Sequence, residues 1–532
     1  LDWDNQPDPF RRFIGSRLIS LPLTEVHPSL EYDQLYSQKI QAHPVSVETI
    51  SALFFYSLAL SAWKQYQDTT WALRVNPSSG NLHPTEGYLI IDKIKEKCFL
   101  PGVYHYTPKE HGLELRTEFG LELWKELTEK LPQGSFLVGL SSIHWREAWK
   151  YGERAFRYCQ HDIGHAWAAL AISASMLGWK LQILNTISDE AIAQLLGLNR
   201  FNDFEMEEKE TPDLLAVIVP SNDTLKPSQS LKQESIQKIA NGKWFGKANK
   251  LNEEYYPWEI IDIVSDACEE QKSDCDREKP STQLFSDTHP ISVNHVKQER
   301  EKTLLAGQII RQRRSAVAMD GVTSITKAQF YEMLSRVIPV VGSMLWDSIA
   351  QRPFIHLGLF VHRVVGLIPG LYALVRDPEK QSLLQTSMHA EFQWKTPLEC
   401  PQSLPLFLLE EKEVQNLAAS VSCGQDIAGA GAFSCGMLAE FEEPIRHFGA
   451  HWYRRLFWET GMIGQVLYLE AEAKGLQATG IGCFFDNPVH DVFGLTGHTF
   501  QSLYHFTIGG SVEDDRLSTL PSYQHLASSS IL

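Results

Sequence analysis

The sequence predicts an α+β protein built from two copies of one domain, and three observations predict it. Its 532 residues are too many for one ordinary domain. Helical and strand patterns are interspersed without a regular strand–helix–strand alternation, which disfavours a doubly wound parallel sheet. The second half then restarts the pattern of the first. PGVYHY at 101–106 is echoed by PGLYAL at 369–374, and at a constant offset of 297 eight identities align without gaps. They include Arg157/Arg454, Gly164/Gly461, Gly178/Gly475, Asp189/Asp486 and Gly197/Gly494. Glycines mark backbone constraints, so their repetition at one offset reports a repeated chain path. The predicted boundaries are a first domain over 1–220, a linker over 221–300 and a second domain over 301–532.

The elements follow in order. Residues 1–45 are Pro-rich and irregular. The run 46–67 reads as a helix, with Ser46 as N-cap and Glu48 in its first turn. NPSSGN at 76–81 is a loop, EGYLIID at 86–92 a strand, and PGVYHY a turn into another. Residues 145–179 read as helix, a second helix closes at Leu198, and LLAVIVP at 214–220 is a buried strand. Residues 221–300 are rich in Lys, Gln, Ser, Asp and Glu, the composition of a partly helical or mobile linker, or of a surface insertion. A duplicated domain in one chain commonly acts as a fused dimer, with sites at the shared interface.

Composition narrows the function classes. With 43% hydrophobic and 21% charged residues, the chain is neither wholly disordered nor fibrous. A net charge of −17 repels phosphate backbones, so nucleic acid is not an expected partner. It leaves room for a small anionic cofactor in a local basic pocket. Eight scattered cysteines with no C-x-x-C pair suggest neither a disulfide framework nor a zinc ribbon. No signal peptide or membrane span is visible, and a soluble cytoplasmic protein is expected.

Four segments carry candidate chemistry. Arg74-Val-Asn-Pro-Ser-Ser-Gly-Asn-Leu-His-Pro84 offers hydroxyls, an amide and close backbone access, which suits a planar polar heterocycle or equally a plain turn. Arg311-Gln-Arg-Arg-Ser315 is the most concentrated basic patch, placed near a predicted helix start. It suits a phosphate, or a solvated charge run. Gly480-Ile-Gly482 follows a helix and is therefore no dinucleotide fingerprint. Ile508-Gly-Gly-Ser ends a strand, with Arg516 six residues beyond the second glycine. His161-Asp-Ile-Gly-His165 places two histidines on one helical face, as zinc ligands require, but Asp stands where the general-base Glu would be. No third ligand is evident, and no metal site is predicted.

RVNPSSGNLHPTEGYLI and WKYGERAFRYCQHDIGHAWAAL resemble the loop and central helix of the SagB-type dehydrogenases, a branch of the FMN-dependent nitroreductase superfamily. RRS, GIGCFFD and IGGSVEDDR are similar to that superfamily's phosphate arginines, flavin-edge loop and closing strand. The resemblance implies two tandem nitroreductase-like domains, each a mainly antiparallel sheet flanked by helices, paired as an intrachain pseudo-dimer. It implies FMN, with Arg313, Arg314 and Arg516 on the phosphate and Ser315 hydrogen-bonded to it. Pro77, Ser78, Ser79, Gly80 and Asn81 would approach the ring and ribityl chain, and Gly480, Gly482 and Phe485 the flavin edge. The first copy has the Pro-Ser loop without a clear RRS, and the second has RRS and G-x-G without the loop. One FMN per chain is therefore expected. Lys150 and Tyr151 resemble the acid/base pair of azoline oxidases; the alternative is an exposed helix lysine beside a core tyrosine. The substrate would be a small molecule or a heterocycle-containing peptide, with NAD(P)H a candidate donor. Rival readings are a small-molecule reductase, a degenerate flavin-binding module, and a zinc hydrolase resting only on HDIGH. Further oligomerisation is left open.

Overall fold

The computed structural model describes residues 1–23, 29–37, 40–94, 99–221, 223, 229–271, 304–340, 343–349 and 351–528. The chain divides into two compact units. Unit 1 comprises Leu1–Glu278, Asp347–Ala350 and Arg516–Leu532; unit 2 comprises Lys279–Trp346 and Gln351–Asp515.

Unit 1 is built on β1 (Leu18–Ser20), β2 (Leu60–Tyr66), β3 (Thr69–Arg74), β4 (Thr85–Ile91), β5 (Gly102–Thr107), β6 (Gly112–Glu118), β7 (Phe136–Ser142), β8 (Lys180–Ile183) and β9 (Thr211–Val219). Seven of them form one antiparallel sheet in the order β1-β6-β5-β4-β7-β9-β8. The helices are α1 (Val47–Phe55), α2 (His144–Tyr151), α3 (Ala155–Met176), α4 (Asp189–Leu196), α5 (Gln233–Ala240) and α6 (Glu259–Ala267). Helix α3 is buried along almost its whole length and packs on β4 and β7. Leu89, Val138, Leu140 and Val217 are fully buried in that sheet, each contributing about 1.5–3 kcal/mol by leaving water.

Unit 2 contains α7 (Ala306–Gln312), β10 (Ile355–Val361), β11 (Gly370–Leu374), β12 (Leu406–Glu411), α8 (Gln415–Val421), β13 (Phe433–Glu440), α9 (Glu442–Phe448), α10 (Trp452–Ala473), β14 (Gln477–Ile481), α11 (Asp486–Phe493) and β15 (Phe500–Gly509). Its antiparallel sheet runs β12-β11-β10-β13-β15-β14. That order matches β6-β5-β4-β7-β9-β8 strand for strand. Helices α3 and α10 each have 22 residues and begin 297 positions apart. The repeated glycines explain the matching ends. Gly178 and Gly475 both have φ of +70°, while Gly197 and Gly494 have +74° and +75°. These left-handed positions follow the long helix and end the short one, where a Cβ would be strained.

Three expectations need correction. The predicted helix 46–67 stops at Phe55. Ser46 and Thr49 do form a capping box at its start. Beyond Phe55, however, β2 pairs with β3 on one edge and with Ser518–Leu520 on the other, and this pairing overrides the helical pattern. The RRS motif lies at a helix end, not a start: α7 stops at Gln312 and Arg313 is its C-cap. Residues 229–271 are partly helical, as expected, but belong to unit 1 and do not form a separate linker. They carry α5 and α6, and Phe13 and Ile14 pair with Lys247 and Ala248 within unit 1. Of the predicted linker, residues 222, 224–228 and 272–300 lie outside the described residues. No described helix is long and apolar enough to cross a membrane.

Candidate active site

The Pro-Ser loop connects β3 to β4 and is clamped at both ends. Arg74, fully buried, donates to Pro9 O at 2.5 Å and Thr85 O at 3.4 Å. Arg146 of α2 donates to His83 O at 2.7 Å and pairs with Glu86. Glu86 also meets His105 Nε2 at 2.9 Å, and His105 Nδ1 meets Glu114 at 3.1 Å. Burial opposes both charges. The Arg146 and His105 partners nevertheless take Glu86 down to about 2, and the hydrogen bonds that His105 donates to Glu114 and Glu86 carry it up to about 9. This buried network fixes the strand that leaves the loop.

The loop's own polar atoms serve its shape. Asp162, on α3, accepts from Ser79 N at 3.1 Å and Ser79 Oγ at 3.1 Å. Ser78 Oγ accepts from His83 N at 2.8 Å, and Asn81 Nδ2 donates to Ala72 O at 2.9 Å. Asp162 is the acid of the HDIGH segment, so this helix position orders the loop. Pro77 is buried, Ser78, Ser79 and Asn81 are half-buried, and Gly80 is exposed.

Gly80 brings the predicted acid/base pair to the loop. It has φ of +57°, and a Cβ placed there would lie 2.5 Å from Tyr151 Oη and 3.2 Å from Lys150 Nζ. Only glycine allows both the backbone conformation and this approach. Tyr151 packs edge-on against Tyr158, with centroids 4.5 Å apart, and Lys150 Nζ lies 5.8 Å from the Trp3 ring. Sequence reasoning missed Glu147, one turn before Lys150. It is fully buried, and burial followed by the nearby Asp162 charge pushes its carboxyl well above the ordinary range. Asp162 is itself pushed up to about 7 by burial, against the hydrogen bonds it accepts. The Ser78 hydroxyl lies beside both carboxyls. The residue types were visible, but nothing in the sequence signalled that both acids are buried under one loop.

In unit 2, RRS and G-x-G converge on Tyr468 of α10. Tyr468 Oη lies 2.9 Å from Ser315 Oγ and accepts from Gly480 N at 3.2 Å. Arg313 is buried with its guanidinium 4.8 Å from the Tyr468 ring, and Ala316 N donates to Ala478 O at 2.9 Å. Arg314 donates to the carbonyls of Arg311 and Arg313 at 3.0 and 2.7 Å, as a helix C-terminus favours. Burial, then the like charges of Arg313 and Arg311, lower Arg314 to about 10. A bound anion would relieve that repulsion, so these residues fit a phosphate group. Gly480 is required by close approach: a Cβ there would fall 1.9 Å from Tyr504 Oη. Gly482 is half-buried and Phe485 exposed on the following loop. Arg516 belongs to unit 1, where its guanidinium lies 5.8 Å from the Tyr66 ring.

Known proteins share parts of this architecture. Residues 44–206 match the nitroreductase family model. The trifolitoxin-processing protein TfxB of Rhizobium leguminosarum bv. trifolii is 28% identical over 172 residues, covering 30% of this chain and 46% of that protein. The chain therefore spans less than half the length of that relative. A protein of Methanocaldococcus jannaschii named as a nitroreductase is 21% identical over 164 residues, covering 30% of this chain and 77% of its own. A crystal structure from Anabaena variabilis, described as a nitroreductase, aligns with a TM-score of 0.67 at 20% identity, over 96% of this chain and 95% of that one. That likeness shows a shared fold. The family match falls on the segment holding the Pro-Ser loop, Lys150, Tyr151 and Asp162, and over that segment the chain is similar to the nitroreductase family and to the trifolitoxin-processing protein.

Proposed function

We propose that this chain is an FMN-dependent oxidoreductase made of two nitroreductase-like domains paired as a pseudo-dimer, with one flavin per chain. The observation that carries the reading is the meeting of Gly80 with Tyr151 Oη and Lys150 Nζ in the unit that matches the family. The complementary inventory of motifs carries the stoichiometry, because each copy has the half the other lacks. Arg313 and Arg314 would hold the phosphate, Ser315 would hydrogen-bond it, and Arg516 would add charge. The Pro77–Asn81 loop would lie along the ring and ribityl chain, with Gly480, Gly482 and Phe485 at the ring edge. Bound flavin supplies a two-electron acceptor for hydride.

The chain's own residues then manage the proton. Tyr151 Oη and Lys150 Nζ remove it from the substrate carbon, and Gly80 lets both approach. Asp162 keeps the loop in register beneath them. The substrate class that best suits this pair is an azoline in a peptide, oxidised to the aromatic azole; the processing role named for the trifolitoxin relative supports a peptide. The relative named as a nitroreductase supports a second reading, reduction of a small molecule with NAD(P)H as donor.

The test is a visible spectrum of the purified chain, with Arg313→Ala/Arg314→Ala alongside. One flavin per chain, lost in the variant, is expected. Two flavins per chain would overturn the half-site reading, and a colourless protein that FMN cannot reconstitute would overturn the flavoenzyme. Azoline-peptide turnover lost in Lys150→Ala favours the oxidase. Flavin reduction by NAD(P)H, with peptides inert, favours the reductase.

A further inference from the structure

Unit 2 carries two sulfur atoms that the flavin reading does not use. Cys423 sits in the turn after α8, and Cys483 lies two residues beyond β14 in the loop that leads to α11. Their Sγ atoms are 2.6 Å apart, although 60 residues separate them in sequence. Unbonded sulfurs do not rest so close, and a disulfide needs about 2.05 Å. The two segments are stitched together independently of the sulfurs. Phe485 N donates to Val421 O at 2.8 Å. Gln425 Nε2 donates to Ser422 O at 2.9 Å and to Cys483 O at 3.0 Å. These bonds hold the two segments side by side where the sulfurs meet.

Proximity and access together distinguish this pair among the described cysteines: Cys483 is exposed and Cys423 half-buried, Cys400 is half-buried without a sulfur beside it in the same way, and Cys159, Cys268 and Cys435 are buried. Burial pushes the Cys400 and Cys435 thiols up to about 12 and holds Cys159 well above the ordinary thiol range, which suppresses their thiolates.

We propose that Cys423 and Cys483 are a redox modification site: they form a reversible disulfide that ties the Gly480–Phe485 loop to the turn after α8. The oxidant is a small-molecule disulfide of the glutathione class. The Cys483 thiolate attacks one of its sulfurs, forming a mixed disulfide and expelling one thiolate. The Cys423 thiolate then attacks the Cys483 sulfur, forming the protein S–S bond and expelling the second. The protein thiols lose two electrons and two protons, and the reagent leaves as two thiols.

In the test, the full chain is treated with oxidised glutathione at about pH 8, near the ordinary thiol pKa. It is then blocked with N-ethylmaleimide and digested with trypsin. The expected product is a cross-linked pair of peptides carrying Cys423 and Cys483, lighter than their sum by two hydrogens and separated by dithiothreitol. Cys423→Ser and Cys483→Ser each abolish it. Cys435→Ala, altered in the tryptic peptide that also holds Cys423, leaves it intact. Recovery of both cysteines as maleimide adducts, or of a persistent glutathione adduct on Cys483, overturns the proposal. The readout is a peptide mass and does not depend on flavin binding.

Discussion

Helices α3 and α10 have the same length and the same place in matching sheets, yet their equivalent residues do different work. Asp162 of α3 corresponds to Glu459 of α10. Asp162 accepts from Ser79 of the half-buried Pro-Ser loop. Glu459 is consumed by a buried pair with Arg376 and by Phe354 N, which it accepts at 2.9 Å. Nine residues on, Ala171 corresponds to Tyr468, and only Tyr468 reaches Ser315 and Gly480. Lys150 and Tyr151 face His447 and Phe448 in the alignment. One copy keeps the acid that shapes a loop, and the other keeps the hydroxyl that joins the arginine segment to the glycine strand. On the proposed reading of two paired domains, each unit can lose what the other supplies.

The comparison breaks most visibly at the matched acids. Arg376→Met leaves Glu459 buried without its ion pair and is expected to cost about 3–5 kcal/mol in urea unfolding. Asp162→Asn keeps the acceptor geometry for Ser79 and should cost far less at neutral pH. Equal losses would show that the two acids have one structural role.

The pH dependence sharpens the same contrast. Asp162 has a folded pKa of about 7, raised by burial from an ordinary value of 3.8. The folded state therefore binds the extra proton, and this stability is full below about pH 4 and lost as pH rises through 7. A tenfold difference in proton affinity between the folded and unfolded chain is worth about 1.4 kcal/mol, so the loss amounts to a few kcal/mol at most. Urea midpoints from pH 5 to 8 should fall in the wild type and fall less steeply in Asp162→Asn, the residual slope coming from other shifted buried groups such as His105 and Glu147. An unchanged slope would remove Asp162 as the titrating group.

Gly80→Ala tests the loop itself. A non-glycine residue at φ of +57°, with its Cβ on Tyr151 Oη, is expected to cost on the order of 1–3 kcal/mol and to lower flavin occupancy. Gly475→Ala meets nothing within 4 Å and should show only the backbone part of that cost. The smallest effect is expected from Tyr468→Phe, which removes one hydroxyl bridge at about 1 kcal/mol. It should weaken flavin retention while leaving unit 1 unchanged, as amide exchange in α3 would report.

Much of the fold was legible because the repeated positions impose backbone rules. Gly178/Gly475 and Gly197/Gly494 need left-handed φ, and their constant offset marks the matching chain path in the two units. The strand at 60–66 was not legible, because its partners are the adjacent Thr69–Arg74 and a segment more than 450 residues away. The Arg-Arg-Ser motif was found, but its helix end was inverted, since basic residues suit a helix C-terminus as well as a phosphate. Lys150 and Tyr151 were visible through family resemblance; their approach to Gly80 is tertiary. The bridge through Tyr468 had a signal that went unused: at offset 297, tyrosine faces alanine just where the glycine strand faces Ile183.

The strand Ser518–Leu520 adds to β2 by pairing with Trp63, Lys64 and Gln65, and Tyr523 Oη accepts from Leu60 N at 3.1 Å. The first unit is thus finished by residues synthesised after all of the second. At about 5–20 residues per second, a ribosome needs roughly half a minute or more to travel from one partner to the other. During that time the edge of β2 is bare, open to chaperones or to wrong strands. Truncation before Ser518 would leave its defect in the part of the protein made first.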